Sequence, residues 1–287
     1  MKYSNIDIFI IAGSNAHTLK DKWGEIKDEF IYPTPFGNSH RIRVYELEGK
    51  PFGLLFRHGV EGYDITAPYV NYRANIYAVK KLGCKRIIAW TGPGAISEKY
   101  EIGDIVIPHD VIDFTKKREY TFFQNKGLGF IRANPCFCPS VREEIRNSCE
   151  KLGIKYHSNG VYICTEGPRL ETAAEIKMFK MLGADMVGMT LVPEVFLARE
   201  LEICYAAICY ITNYAESEEH AYKEGELFEG TLPEDKKPLV EKAIAAFPEI
   251  IRDVLKNEDR ENCLCKKSML RYKKSGKISG DFENWIR

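Results

Sequence analysis

The sequence predicts an α/β fold: one domain built on a parallel or mixed central β-sheet flanked by helices. Two observations carry that expectation. Short, almost wholly apolar runs of strand length alternate with stretches of helical periodicity along nearly the whole chain. Hydrophobic residues make up 45% of the 287, against 29% charged, which is enough apolar matter for a large core in one domain, or at most two.

Residues 7–12 (DIFIIA) and 51–56 (PFGLLF) read as strands. Residues 69–82 read as a helix, with Val70, Ala74, Tyr77 and Val79 near helical spacing and Gly83 closing it. Strands are expected at 86–91 and 104–107. The clearest helix is 139–152, where Val141, Ile145, Cys149 and Leu152 form one stripe, Ser140 can cap the start and Gly153 follows the end. A strand at 159–164 precedes a helix at 172–182, stopped by Gly183. ADMVGM (184–189) reads as a strand, and Pro193 opens a short helix in the favoured first position. Residues 203–212 form a buried strand, and a final amphipathic helix covers about 235–255. The domain is expected to span 1–255, with 256–287 as a basic, cysteine-containing tail.

Lys and Arg number 41, as do Asp and Glu, so the formal net charge is zero. A duplex-binding protein needs an excess of cations to displace counterions, so nucleic acid is not an expected partner. The longest apolar runs fall short of the roughly 20 residues that a membrane-spanning helix requires, and MKYSNIDIFIIAG lacks a secretory cleavage pattern. A soluble, cytoplasmic protein with no membrane partner is expected.

In α/β sheets ligands gather beyond the carboxyl ends of strands. Gly13-Ser14-Asn15 follows the first strand, Arg57-His58-Gly59 the second, and Thr91-Gly92-Pro93-Gly94 the strand at 86–91. Thr190 follows ADMVGM, and Asn213 follows the last long strand. This collection lacks a nucleophile with its base, a carboxylate pair and an obvious metal cluster. It has backbone N–H groups in Gly-rich turns, hydroxyl donors and an Arg for a forked contact, which is what a bound oxyanion needs. Each alone is an ordinary turn residue; together, at successive strand ends, they point to an anion site. Gly92-Pro93-Gly94 does not continue as a dinucleotide fingerprint, because Ser97 stands where a third Gly or Ala belongs and another strand follows.

Blocks spread over residues 7–255 resemble the purine nucleoside phosphorylase and methylthioadenosine phosphorylase family of the trimeric type. The longest is TEGPRLETAAEIKMFKMLGADMVGMTLVPEVFLAR (165–199); others are YPTPFG (32–37), RHG (57–59), VNYRANIYAVKKLGC (70–84), YEIGDIVIPHDVIDF (100–114) and ITN (211–213). The resemblance implies a nucleoside phosphorylase-like fold, a homotrimer or hexamer, and no cofactor. It implies a pentosyl transfer in which inorganic phosphate, the co-substrate, attacks C1′ of a purine nucleoside. The products are free base and ribose 1-phosphate or its 5-methylthio analogue. By position, Ser14, Arg57, His58, Thr91, Gly92 and Thr190 are expected to bind phosphate, Met189 to lie under the ribose, and Leu170, Glu171 and Asn213 to meet the base. His58, Glu171 and Asn213 are the expected catalytic residues.

Family members acting on 6-aminopurines commonly carry Asp where this chain has Asn213, and those acting on 6-oxopurines have Asn there, with a Glu matching Glu171. The chemistry agrees. Hypoxanthine and guanine offer an N1–H donor to a carboxylate, and an amide can donate to O6 and accept from N7–H. Adenine reverses that edge, and each mismatched buried group costs about 1–3 kcal/mol. Inosine, guanosine or 5′-methylthioinosine is therefore the expected substrate. The alternatives are an S-methyl-5′-thioadenosine phosphorylase of methionine salvage and a non-catalytic purine nucleoside-binding relative. Glu171 also stands where a carboxylate favours a helix start. Residues 216–234 are expected to cover the 5′ substituent, with Leu227 and Phe228 suited to a methylthio group and His220 to a hydroxyl. The loops GSNAHTL, GVEGYDITAP and TGPGA depart from the family pattern around the phosphate.

There are nine cysteines. Cys136 and Cys138 form one C-x-C and Cys263 and Cys265 another. Metal sites usually use C-x2-C, so no metal site is expected. Disulfides are the sharper alternative, in an unusual redox setting, and the resemblance extends to disulfide-bearing thermophilic archaeal members. Cys204 and Cys209 point to opposite faces of one strand and do not pair easily. The run from Lys266 to Lys277 carries basic and no acidic residues and reads as a solvated, partly disordered end.

Overall fold

Apolar runs without polar interruption are stable as strands only when both faces are covered, and three of them form the middle of the molecule. The computed structural model describes residues 5–13, 18–19, 22–60, 62–216, 225, 232–257 and 263–286. Strands β1 (Ile8–Ala12), β5 (Arg86–Thr91) and β12 (Cys204–Tyr210) are buried at every position. They run parallel, with β5 between the other two. Strand β4 (Lys50–Phe56) lies parallel on the other side of β1. It is the last strand of an antiparallel meander with β2 (Asp28–Thr34) and β3 (Gly37–Leu47). Short strands β7 (Ile105–Val106) and β9 (Tyr156–His157) complete an eight-stranded mixed sheet.

A second sheet of five strands has the order β13-β6-β11-β10-β8. Its members are β6 (Gly94–Ala95), β8 (Asp110–Phe114), β10 (Val161–Thr165), β11 (Met186–Gly188) and β13 (Asn213–Tyr214). Strands β8, β10 and β11 are parallel, and β6 runs against β11. The α/β class is as expected; the strands divide between two sheets.

Helix α1 (Tyr72–Lys81) starts where the Asn71 side chain accepts the Ala74 N–H, because Pro68 diverts the preceding residues into a separate 3-10 turn. In α2 (Pro139–Lys151) the stripe Val141, Ile145, Cys149 is buried, but Leu152 is 40% exposed. Ser140 does not cap it. Cys138 holds that position and Pro139 fills the first turn, where a missing N–H costs nothing. Helix α3 (Ala173–Met181) begins with a full capping box between Thr172 and Glu175, so Glu171 is not its cap. In α4 (Leu191–Glu200) the backbone is non-helical at Val192, so the regular helix begins at Pro193, as expected. Helix α5 (Lys237–Val254) buries Val240, Ala243, Phe247, Ile250, Ile251 and Val254 along one face.

The C-terminal segment is not a solvated end. A 3-10 turn (Leu264–Lys267) leads to α6 (Leu270–Lys274) and α7 (Phe282–Ile286). Cys265, Met269, Tyr272, Ile278 and Trp285 are buried, while Lys267, Arg271, Lys273, Lys274 and Lys277 stay outside. The spacing of apolar residues between the basic ones is what permits both. Among the described residues no helix is long and apolar enough to cross a membrane.

Candidate active site

The order β4-β1-β5-β12 sets four parallel carboxyl ends side by side, bringing together Arg57-His58, Gly13, Thr91-Gly92 and the 211–213 segment. Ser14 lies outside the described residues, as do His17, His220, Leu227 and Phe228. Gly13 donates its N–H to the Trp90 carbonyl at 3.1 Å. A methyl group added to Gly13 would lie 3.2 Å from that oxygen, 3.8 Å from Arg57 Nη1 and 3.9 Å from Thr91 Cα. The tip of Arg57 and the Thr91 backbone therefore meet at the end of β1.

Arg57 is fully buried. Its Nε donates to Glu194 Oε1 at 2.5 Å and its Nη2 to Glu194 Oε2 at 2.9 Å. The Tyr205 hydroxyl donates to the same carboxylate at 2.8 Å. The fork fixes the guanidinium plane, and Nη1 is left without a partner among the described residues. A buried N–H of a charged group is costly to leave unpaired, and an anion is the ligand that removes the cost. His58 stands next to it, with Nδ1 2.9 Å from the Ile65 carbonyl. A carbonyl only accepts, so Nδ1 carries the proton. Burial, with the Arg57 charge behind it, pushes the His58 pKa down to about 3. The ring is neutral near pH 7 and its Nε2 is an acceptor, matched to a protonated oxygen of a ligand.

Thr190 sits in the cap position of α4 without capping it. Its hydroxyl instead lies 3.1 Å from that of Thr91, and both residues are buried. One hydroxyl proton serves that contact and the other stays available. Gly92 allows the next segment to approach, since a Cβ there would fall 2.5 Å from Thr212 Cγ2. Thr91, Gly92 and Thr190 are thus gathered at the ends of β5 and β11, and Arg57 with His58 beside it reaches them past Gly13 at the end of β1.

Asn213 stands on β13 of the five-stranded sheet, and Glu171 lies in the connection from β10 to α3, immediately before the cap residue Thr172; β6 and β11 separate β13 from β10. Asn213 is buried, accepts the Thr212 hydroxyl at 2.6 Å and donates to the Tyr214 carbonyl at 2.8 Å. Glu171 is buried and accepts the Thr165 hydroxyl at 2.5 Å. Burial raises its pKa, against the pull of that hydrogen bond. Met189 packs its sulfur against Gly167, whose positive φ of 68° suits glycine and where a Cβ would fall 2.5 Å from that sulfur. Leu170 is half-buried beside Glu171.

Three residues of this region were not singled out by sequence reasoning. Glu194 and Tyr205 hold Arg57, and the only signal was the place of Glu194 within VPE. Arg118 is buried and donates to the carbonyls of Thr165 (3.0 Å), Glu166 (2.8 Å), Met189 (2.6 Å) and Val192 (2.5 Å). It ties the ends of β10 and β11 to the start of α4. Carbonyl partners leave no residue-type pattern, so nothing in the sequence marks it.

The family model described as Phosphorylase superfamily matches residues 7–255. A probable 6-oxopurine nucleoside phosphorylase of Dictyoglomus turgidum is 38% identical over 273 residues, covering 94% of this chain and 98% of that protein. A probable S-methyl-5′-thioinosine phosphorylase of Methanothermobacter thermautotrophicus is 39% identical over 263 residues, covering 91% of this chain and 88% of that one. Among solved structures, a methylthioadenosine phosphorylase from an antarctic soil metagenomic library matches with a TM-score of 0.81 at 28% identity, over 92% of this chain and 91% of that one. With these matches running the length of both sheets and through every strand end just described, the chain belongs to the phosphorylase superfamily.

Proposed function

We propose that the protein is a purine nucleoside phosphorylase that prefers 6-oxopurines. It would cleave inosine, guanosine or 5′-methylthioinosine with inorganic phosphate, releasing hypoxanthine or guanine and ribose 1-phosphate or its 5-methylthio analogue. The observation that carries this reading is the unpaired Nη1 of the buried, Glu194-anchored Arg57, next to the neutral His58 and the Thr91–Thr190 hydroxyl pair. Such a site holds a tetrahedral oxyanion. The relatives named above support the substrate class.

Phosphate held by Arg57, His58, Thr91, Gly92 and Thr190, with Ser14 proposed beside them, would be placed against C1′. It is itself the nucleophile, so none is required from the protein. As the glycosidic bond loosens, the sugar becomes oxocarbenium-like and faces the phosphate dianion, and Met189 packs on its apolar side. The leaving purine gathers negative charge. The Asn213 amide donates to O6 or accepts from N7–H, and the Glu171 carboxylate accepts from N1–H. The Glu171 carboxylate is held at the end of β10 by the Thr165 hydroxyl, and β10 and β13 are three interstrand steps apart, about 14 Å, room enough for a purine.

A second reading, an S-methyl-5′-thioadenosine phosphorylase, is favoured by one observation: the raised pKa of Glu171. A protonated Glu171 would donate to the bare N1 of adenine. The test is a panel of inosine, guanosine, 5′-methylthioinosine, adenosine and 5′-methylthioadenosine, with and without phosphate. The expected result is phosphate-dependent base release, with 6-oxopurines ahead by up to roughly four orders of magnitude in kcat/KM. Asn213→Asp shifts the preference toward the 6-amino substrates. Faster turnover of methylthioadenosine selects the second reading, and phosphate-independent binding without turnover sinks both. Assembly as a homotrimer or hexamer is part of the proposal, and sedimentation velocity tests it.

A further inference from the structure

All nine cysteines are free thiols and all are buried. Four of them, Cys138, Cys204, Cys263 and Cys265, have Sγ atoms that all lie within 4.8 Å of one another. They come from three distant segments: the residue before α2, the first residue of β12, and the C-x-C of the 3-10 turn near the C-terminus. Cys138 and Cys263 approach to 3.3 Å between sulfurs. Four thiolates around one zinc ion at about 2.3 Å form a tetrahedron with edges of about 3.8 Å. The cluster has that scale.

A second observation concerns charge. Arg199 is buried, and its Nη1 donates to Cys265 Sγ at 3.1 Å. Its Nη2 donates to the carbonyls of Pro135 (2.5 Å) and Cys136 (3.0 Å). Among the described residues it forms no ion pair with a carboxylate. A buried guanidinium needs a counter-charge, and four neutral thiols do not provide one. Zinc bound by four thiolates carries a net charge of −2, and an N–H donor on one of its sulfurs is the outer-sphere contact that such a site requires. The thiolate at Cys138 also gains from its place at the N-terminus of the 13-residue helix α2.

We propose that Cys138, Cys204, Cys263 and Cys265 form a structural zinc(II) site that fastens the C-terminal segment to α2 and β12, with Arg199 as its counter-charge. The narrow C-x-C spacing spoke against a metal in the sequence, but it supplies only two of the ligands, and the fold delivers the other two. Binding replaces four thiol protons by one Zn²⁺ and needs no oxidant. None of the four cysteines is among the strand-end residues proposed to hold phosphate, and the site does not depend on the proposed reaction.

The full chain, produced in zinc-replete medium and purified anaerobically without chelator or added thiol, is assayed for metal by mass spectrometry. About one zinc per chain is expected. Cys263→Ser and Cys265→Ser reduce it to near zero, and Cys149→Ser, a buried thiol outside the cluster, retains it. Should those variants fail to fold, cobalt(II) replacement in the unaltered chain gives the same information. Thiolate-to-cobalt absorption with tetrahedral d–d bands supports the site. Substoichiometric zinc with no such spectrum overturns it. So does non-reducing peptide mapping that finds any two of the four joined as a disulfide in the anaerobic protein.

Discussion

Arg57 commits two nitrogens to Glu194 and keeps the third for a ligand. Burying both charges is expensive, and the geometry that repays it is the forked contact with Tyr205 filling a further acceptor position. The arrangement holds a cation in a dry place at a fixed angle. Glu171 is held in the opposite way, by a single hydroxyl and a burial that favours its neutral form. That difference has a pH consequence. Accepting from N1–H of a 6-oxopurine requires the carboxylate, and the folded pKa lies above the ordinary 4.5. As pH falls through that raised value the acceptor is lost, so kcat/KM for inosine declines at a higher pH than an ordinary carboxylate would cause. Over the same window the adenosine-to-inosine ratio rises, because the acid form donates to N1. Glu171→Gln removes this limb of the pH–rate profile and costs about 1.5–3 kcal/mol on inosine, the worth of a hydrogen bond to a charged group. An unchanged limb in the variant would assign it to another residue.

At the scale of elements, the site is a matter of strand ends, and these were legible. Strands β1, β5 and β12 announce themselves by uniformly apolar runs, and parallel order then places Gly13, Arg57 and Thr91 together without further information. The β2–β3 pair was missed because its burial alternates and includes exposed positions, so HRIRVYEL reads as a polar stretch. Strands β6 and β13 are two residues each, too short for any period. They nevertheless fix Asn213 beside Gly94. The junction of β5 with this segment leaves no space. A Cβ at Gly92 would lie 2.5 Å from Thr212 Cγ2 and 2.9 Å from Tyr210 Cζ. Tyr210 is stacked on Trp90 at 4.5 Å and cannot retreat easily. Gly92→Ala therefore pushes Thr212 and the adjoining Asn213 out of the position proposed to meet the base. Overpacking of this kind costs about 1–3 kcal/mol, and a loss of about tenfold or more in kcat/KM for inosine is expected. Steady-state kinetics beside a thermal melt measure both effects; wild-type kinetics in a folded variant would show that the segment yields.

For the whole molecule, the least legible features join positions far apart in the chain. Cys138, Cys204 and Cys263 meet across separations that no motif spans, and Arg118 meets four carbonyls from three segments. The same blindness applies to the C-terminal segment, whose basic residues suggested a solvated end. Its apolar side chains decide otherwise. Trp285 is buried, Phe282 meets the Tyr77 ring of α1 at 5.3 Å, and Glu283 pairs with Lys81. Lys126 donates to the Ile286 carbonyl at 2.5 Å, tying the last helix to the 115–138 connection as well. Removing residues 279–287 leaves the four-cysteine cluster and every strand-end residue in place, so it isolates this packing. Burying one Trp with part of a Phe contributes on the order of 3 kcal/mol before the entropy of ordering a short helix is subtracted. At about 2–4 °C per kcal/mol for a chain somewhat smaller than this one, the truncated protein should melt roughly 5 °C lower, with kcat/KM for the favoured nucleoside unchanged. Differential scanning calorimetry reads the shift. A melting temperature equal to that of the full chain would mean that α7 adds no net stability where it rests.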